Sequence, residues 1–136
     1  MFPEIKVLYE DDEVLVINKP AGVTVNRADS IKETTIQDFA ELTLGIGRMQ
    51  IEDDGEGEVF IKRSGIAHRL DKQTSGCLLI AKNPKVLTLL MGEFASRRVK
   101  KEYVALIHGR LEPREGTIRL PLARHLVDRK KWRVTY

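Results

Sequence analysis

The sequence predicts an α+β domain, and three observations predict it. Short apolar runs bounded by turn formers fit strands. Two helix-start signatures each open a run with apolar residues three and four apart. Strands come first, alternate with the helices and then close the chain. At 136 residues with 42% hydrophobic content, residues 1–136 form one domain at most and hold enough apolar side chains for a core.

The elements follow in order. Glu4 to Glu10 and Glu13 to Asn18 form a hairpin turning at Asp11-Asp12, with Val14 to Ile17 as buried strand. Lys19-Pro20-Ala21-Gly22 is a turn, since proline fixes φ and glycine opens conformations closed to other residues. Thr34-Thr35 opens a short helix. Thr35 and Asp38 stand at capping-box spacing, Ile36, Phe39, Ala40 and Leu42 form its apolar face, and Gly45 is the stop. Ile51 to Glu58, acidic and glycine-bearing, reads as a solvated loop whose spacing does not match a calcium loop. Val59 to Ile61 reads as a short strand and Cys77 to Lys82 as a longer one. Asn83-Pro84 pairs a cap residue with proline in the first turn, starting a helix to about Arg97 that buries Val86, Leu87, Leu90, Met91 and Phe94. Further strands are expected over Lys100 to Gly109, Gly116 to Leu122 and from Lys131 to Tyr136.

Composition excludes several classes. The single cysteine, Cys77, allows no internal disulfide and is expected as a small core residue. His68, His108 and His125 have no cysteine partners at ligand spacing, so no zinc site is expected. No apolar run approaches the ~20 residues that span a bilayer, and Met1-Phe2-Pro3-Glu4 is not a signal peptide, so the expected location is cytoplasmic. Charge is divided unevenly. Residues 1–96 hold 11 Lys or Arg against 16 Asp or Glu, and residues 97–136 hold 12 against 4. A basic segment of that kind suits phosphate contacts, although it is also compatible with a solvated edge.

The chemistry concentrates in His68-Arg69-Leu70-Asp71-Lys72-Gln73-Thr74-Ser75-Gly76, directly before the apolar run Cys77 to Ala81. Neighbouring cations favour a carboxylate anion, and Thr74-Ser75-Gly76 supplies turn chemistry for a fixed loop entering a strand. Such a loop holds a nucleophile or charge stabiliser. It also suits an ordinary Asp paired with Arg69 or Lys72. The wording of this loop resembles the central motif of the RluA-type pseudouridine synthases, which isomerise uridine in ribosomal or transfer RNA. Asp11 to Val23, with Lys19-Pro20-Ala21-Gly22, resembles the family's amino-terminal motif. Arg98-Val99 through Lys101-Glu102-Tyr103 to Gly109 resembles its Lys-x-Tyr strand motif.

The resemblance implies a pseudouridine-synthase fold, a mixed and largely antiparallel sheet with flanking helices and a central cleft. It implies Asp71 as the catalytic carboxylate, acting on the sugar, on the base or on a ribose proton, and Tyr103 as the ring packed against the target base. Arg69 would fill the space of the extracted uridine, which helps offset the few kcal/mol, roughly, that base flipping costs. Lys101, Lys19 and His68 would support RNA binding. The isomerisation involves neither redox change nor phosphate transfer, so no cofactor or metal is expected. The partner is ribosomal or transfer RNA, with no membrane and no obligate protein partner evident.

The family's later Arg-x-His-Gln-Ile-Arg motif has no counterpart here, and no S4-type domain precedes Met1. The expectation is therefore a catalytic domain lacking its carboxy-terminal part, inactive alone. A non-catalytic RNA-binding remnant is the alternative. A hydrolase with Asp71 as nucleophile and His68 as base is a third reading, disfavoured because a strand follows Asp71 where a nucleophile elbow needs a helix.

Overall fold

The computed structural model describes residues 4–52, 54–128 and 131–135. The chain divides into two units, Met1–Lys101 and Glu102–Tyr136. In the first, strand β1 (Lys6–Glu10) and strand β2 (Val14–Lys19) pair antiparallel, with a register shift between Val7 and Tyr9. Their turn is built by Asp11, whose Oδ1 accepts from the Glu13 and Val14 amides at 2.8 and 2.7 Å. Strand β3 (Gly76–Ala81) pairs antiparallel with the other edge of β2, giving the order β1-β2-β3. The α+β class and the largely antiparallel sheet are as expected.

Helix α1 (Ile36–Leu44) begins with the expected capping box. Thr35 Oγ1 accepts from the Asp38 amide at 3.2 Å, and Asp38 Oδ2 accepts from the Thr35 amide at 2.8 Å. Gly45 ends the helix in the left-handed conformation. Ile36 and Ala40 are buried and Phe39 packs beside them, but Leu42 is 71% exposed. Six residues beyond Ile36, Leu42 stands about 240° round the helix, off the buried face. A 3-10 turn follows at Ile46–Arg48.

Helix α2 (Gly55–Arg63) corrects two expectations, because the acidic stretch is its cap and first turn and Val59 to Ile61 are helical. Asp54 accepts from the Gly57 amide at 2.7 Å. Glu56 and Glu58 lie at the positive end of the helix dipole, Lys62 and Arg63 at the negative end. Phe60 is buried, while Val59 and Ile61 are exposed. Helix α3 (Pro84–Ala95) starts at Asn83, whose Oδ1 accepts from the Val86 amide at 3.0 Å. Leu87 is buried, and Val86, Leu90, Met91 and Phe94 pack half-buried against the same cluster.

Leu15 and Ile17 of β2, with Leu78 and Ile80 of β3, form the centre of the core together with Ile36, Ala40, Ile66 and Leu70. Full burial of such a side chain contributes roughly 1.5–3 kcal/mol, so the β2–β3 pair is the rigid base of this unit. Alternation turns Cys77 to the exposed face, correcting its expected place in the core.

Among the described residues of the second unit, one antiparallel pair forms, β4 (Leu122–Arg124) with β5 (Trp132–Val134). Only the end of the expected strand over Gly116 to Leu122 is realised, and the strand expected from Lys131 is realised as β5; Tyr136 lies outside the described residues. Lys100 to Gly109 is not a regular strand. Its alternating pattern suits one, but a strand exists only where another's N–H and C=O groups face it, and no described strand pairs there.

Candidate functional site

The loop of Asp71 is held from both sides. Upstream, residues 65–67 run antiparallel to the end of β3. Gly65 C=O accepts from the Ala81 amide at 2.7 Å, Ile66 bridges Ile80, and the Ala67 amide donates to Leu79 C=O at 3.3 Å. Gly65 is required here, because its φ is +73° and a Cβ would stand 2.2 Å from Ala81 O. Leu70 is buried in the core, so Arg69 and Asp71 on either side of it are exposed. Downstream, the Thr74 amide donates to Asp71 C=O at 3.0 Å, closing a turn that delivers the chain to β3.

The Lys-Pro-x-Gly turn braces the same loop. Lys19 ends β2 with its side chain wholly buried. Its ammonium donates to the carbonyls of Pro20 at 2.9 Å, Val23 at 2.8 Å and Lys72 at 3.2 Å. Gly22, with φ +85°, turns its own amide onto Lys72 C=O at 2.7 Å. One carbonyl beside Asp71 thus receives two donors from the turn. Burial pushes the Lys19 amine below its usual pKa, and the Asp71 carboxylate opposes that shift. Three carbonyls use the three donors of the ammonium, so a phosphate contact would have to displace one of them.

Lys72 pairs with Glu33 at 2.8 Å, which answers the question of whether it is the partner of Asp71. This pair lowers the Glu33 pKa through the hydrogen bond and the lysine charge. His68 is half-buried, stacks on Phe94 with ring centroids 4.4 Å apart, and accepts from the Leu79 amide through Nε2 at 3.1 Å. Burial depresses its pKa, the charge of Lys101 adds to this, and a backbone hydrogen bond at Arg69 opposes it. Lys101 is exposed at the end of the first unit. Tyr103 belongs to the second unit and is 60% exposed there, open to a flat partner.

The structure therefore brings Lys19, Gly22, Asp71 and Lys72 together, and His68 with Phe94 and Lys101. Sequence reasoning missed Glu33, Phe94 and the Leu79 amide. Phe94 was visible only as one of several apolar residues on a helix, and nothing in the sequence links Glu33 to Lys72. Among the described residues, no three His, Cys, Asp or Glu side chains are grouped to hold a metal, and no helix is long and apolar enough to cross a membrane.

A family model described as RNA pseudouridylate synthase matches residues 13–135. An uncharacterized RNA pseudouridine synthase of Bacillus subtilis, YlyB, is 35% identical over 132 residues, covering 97% of this chain and 41% of that protein. An uncharacterized RNA pseudouridine synthase of Aquifex aeolicus is 34% identical over 128 residues, 94% of this chain and 38% of that one. The ribosomal large subunit pseudouridine synthase D of Borreliella burgdorferi is 36% identical over 131 residues, 96% and 38% of the two chains. Against these three the chain spans about two fifths of the relative's length. Among solved structures, human RNA pseudouridylate synthase domain containing 4 aligns with a TM-score of 0.47 at 24% identity, covering 68% of this chain and 30% of that one.

Proposed function

The chain belongs to the RNA pseudouridylate synthase family, in its RluA type, and we propose that the protein isomerises uridine to pseudouridine in ribosomal or transfer RNA with Asp71 as the catalytic carboxylate. The observation that carries the reading is the bracing of one exposed carboxylate, with Lys19 and Gly22 fixing the carbonyl of the next residue and Leu70 anchoring the residue before. A preorganised charge at a fixed place is what a reaction with developing charge on ribose or uracil requires. The bond from ribose to N1 breaks, the uracil turns, and a bond forms at C5. The C5 proton leaves and N1 gains one, so no electron acceptor, cofactor or metal enters the balance.

Tyr103 is assigned to the target base, offering an exposed ring for stacking and a hydroxyl for the ribose or a proton. Arg69, exposed beside Asp71, is assigned to the gap left by the flipped uridine, and Lys101 to phosphate. Lys19 and His68, both engaged by backbone groups, act on the loop before they act on RNA. A ribosomal or transfer RNA substrate sets the work of the protein in the cytoplasm.

The experiment is Asp71→Asn in the whole protein. Pseudouridine mapping should find no product, while RNA affinity stays within about tenfold, ~1.4 kcal/mol, because binding rests on phosphates. Normal turnover by this variant would remove Asp71 from the chemistry.

A further inference from the structure

We propose that His68 is a positioning residue whose imidazole acts as a neutral hydrogen-bond acceptor, taking an N–H of β3 in place of a main-chain carbonyl and fixing where the Asp71 loop begins. The proposal rests on the reading of Asp71 as catalytic, but its structural half is tested separately.

The rungs between residues 65–67 and β3 run in order. Ala81 donates to Gly65, Ile66 bridges Ile80, and Ala67 donates to Leu79. The next group on that edge is the Leu79 N–H, and a regular ladder would meet it with a backbone carbonyl. The chain leaves the sheet there to form the loop, and His68 Nε2 takes the hydrogen bond at 3.1 Å. Phe94 of α3 holds the ring plane, 26° from its own. The imidazole therefore ties α3, β3 and the first residue of the loop at one point, three residues before Asp71.

A ring nitrogen that accepts carries no proton, so Nδ1 bears the hydrogen of the neutral ring. The surroundings keep it so. Burial disfavours the cation, and Lys101 is the like charge acting on it. Phe94 and the Leu79 amide carry no charge, and the backbone hydrogen bond at Arg69 acts the other way. Protonation would set an Nε2–H against the Leu79 N–H, two donors with no acceptor between them. Because the folded pKa is lowered, the contribution of His68 to stability is complete above its ordinary value and is lost as pH falls through the depressed one. An RNA contact fits less well, since one face of the ring is against Phe94 and the accepting nitrogen is engaged.

The test uses the full-length protein with nitrogen-15 in its histidine rings and amides, beside His68→Gln and His68→Phe. The glutamine oxygen reaches the place of Nε2 and does not titrate near neutrality. Phenylalanine keeps the stack and removes the acceptor. We expect the wild-type Nε2 to be unprotonated at neutral pH. We expect the Leu79 amide to lose at least about tenfold of its exchange protection in His68→Phe and to recover most of it in His68→Gln. Single-turnover pseudouridine formation should fall in His68→Phe with RNA affinity nearly unchanged, and return in His68→Gln without the acidic limb that wild type shows as pH falls through the depressed His68 value. A protonated Nε2, an unaltered Leu79 amide in His68→Phe, or a loss of affinity matching the loss of rate would each overturn the proposal. Should no form of the protein make pseudouridine, the assignment of Asp71 fails, while ring nitrogen and Leu79 amide still decide whether His68 positions the loop.

Discussion

Truncating Tyr103 to alanine is expected to slow isomerisation more than Tyr103→Phe, because phenylalanine keeps the flat ring and loses only the hydroxyl. Equal inactivity of the two in single-turnover assays would instead assign proton transfer to the hydroxyl, and near-normal rates in both would make Tyr103 a packing residue. The loop of Asp71 is legible in the sequence because the groups that define it are consecutive: cations on both sides of Asp71, then Thr74-Ser75-Gly76. The bracing of that loop is not legible there. The Lys19 ammonium meets the Lys72 carbonyl across 53 residues, and Glu33 meets Lys72 across 39. Backbone carbonyls carry no letter in a sequence, so a lysine bound to three of them looks the same as a surface lysine.

At the scale of elements, the strands and helices with local punctuation are readable. Thr35 with Asp38, Asn83 with Pro84 and the Asp11 turn all form as expected. Helix α2 is not, because Gly55, Gly57 and the acids around them look like loop until Asp54 is seen capping and Phe60 is seen filling the core. The end of that helix holds a testable flaw. Ser64 sits at φ 50°, in the left-handed region, with its buried hydroxyl lacking a hydrogen-bond partner among the described residues. Ser64→Gly should remove both costs and stabilise the protein by about 1 kcal/mol, read from denaturant midpoints at constant m-value. No gain, or a loss, would mean the hydroxyl has a partner or the side chain fills space that matters.

Across the whole molecule, charge is the property that sequence reports most directly, since it needs no fold to be counted. The segment from Arg97 to Arg133 holds 12 Lys or Arg against 4 Asp or Glu and outweighs the net negative charge of residues 1–96, although Arg129 and Lys130 lie outside the described residues. Some of these cations already have partners: Arg98 is bound by Glu93 at 2.9 Å, Lys131 by Asp128 at 3.5 Å, and Arg124 lies 4.2 Å over the Trp132 ring. RNA affinity is expected to fall steeply with salt. Each phosphate neutralised on a single strand contributes a slope of about −0.7 in log K against log salt, so reversing Arg114 and Arg119 should flatten it by roughly 1 to 2 units. Filter binding over a salt series measures this. A slope that neither variant changes would move the phosphate contacts elsewhere in the protein.

The enclosed amine of Lys19 also gives the site its own chemical clock. An acylating reagent needs a free lone pair and a path, and Lys19 offers neither while its nitrogen faces three carbonyls inside the protein. The exposed lysines react at once. Lys19 waits until the Pro20–Gly22 turn and the Asp71 loop part, so the rate at which it is modified reports that opening. The loop proposed to hold the catalytic carboxylate thus carries beside it the reporter of how often it lets go.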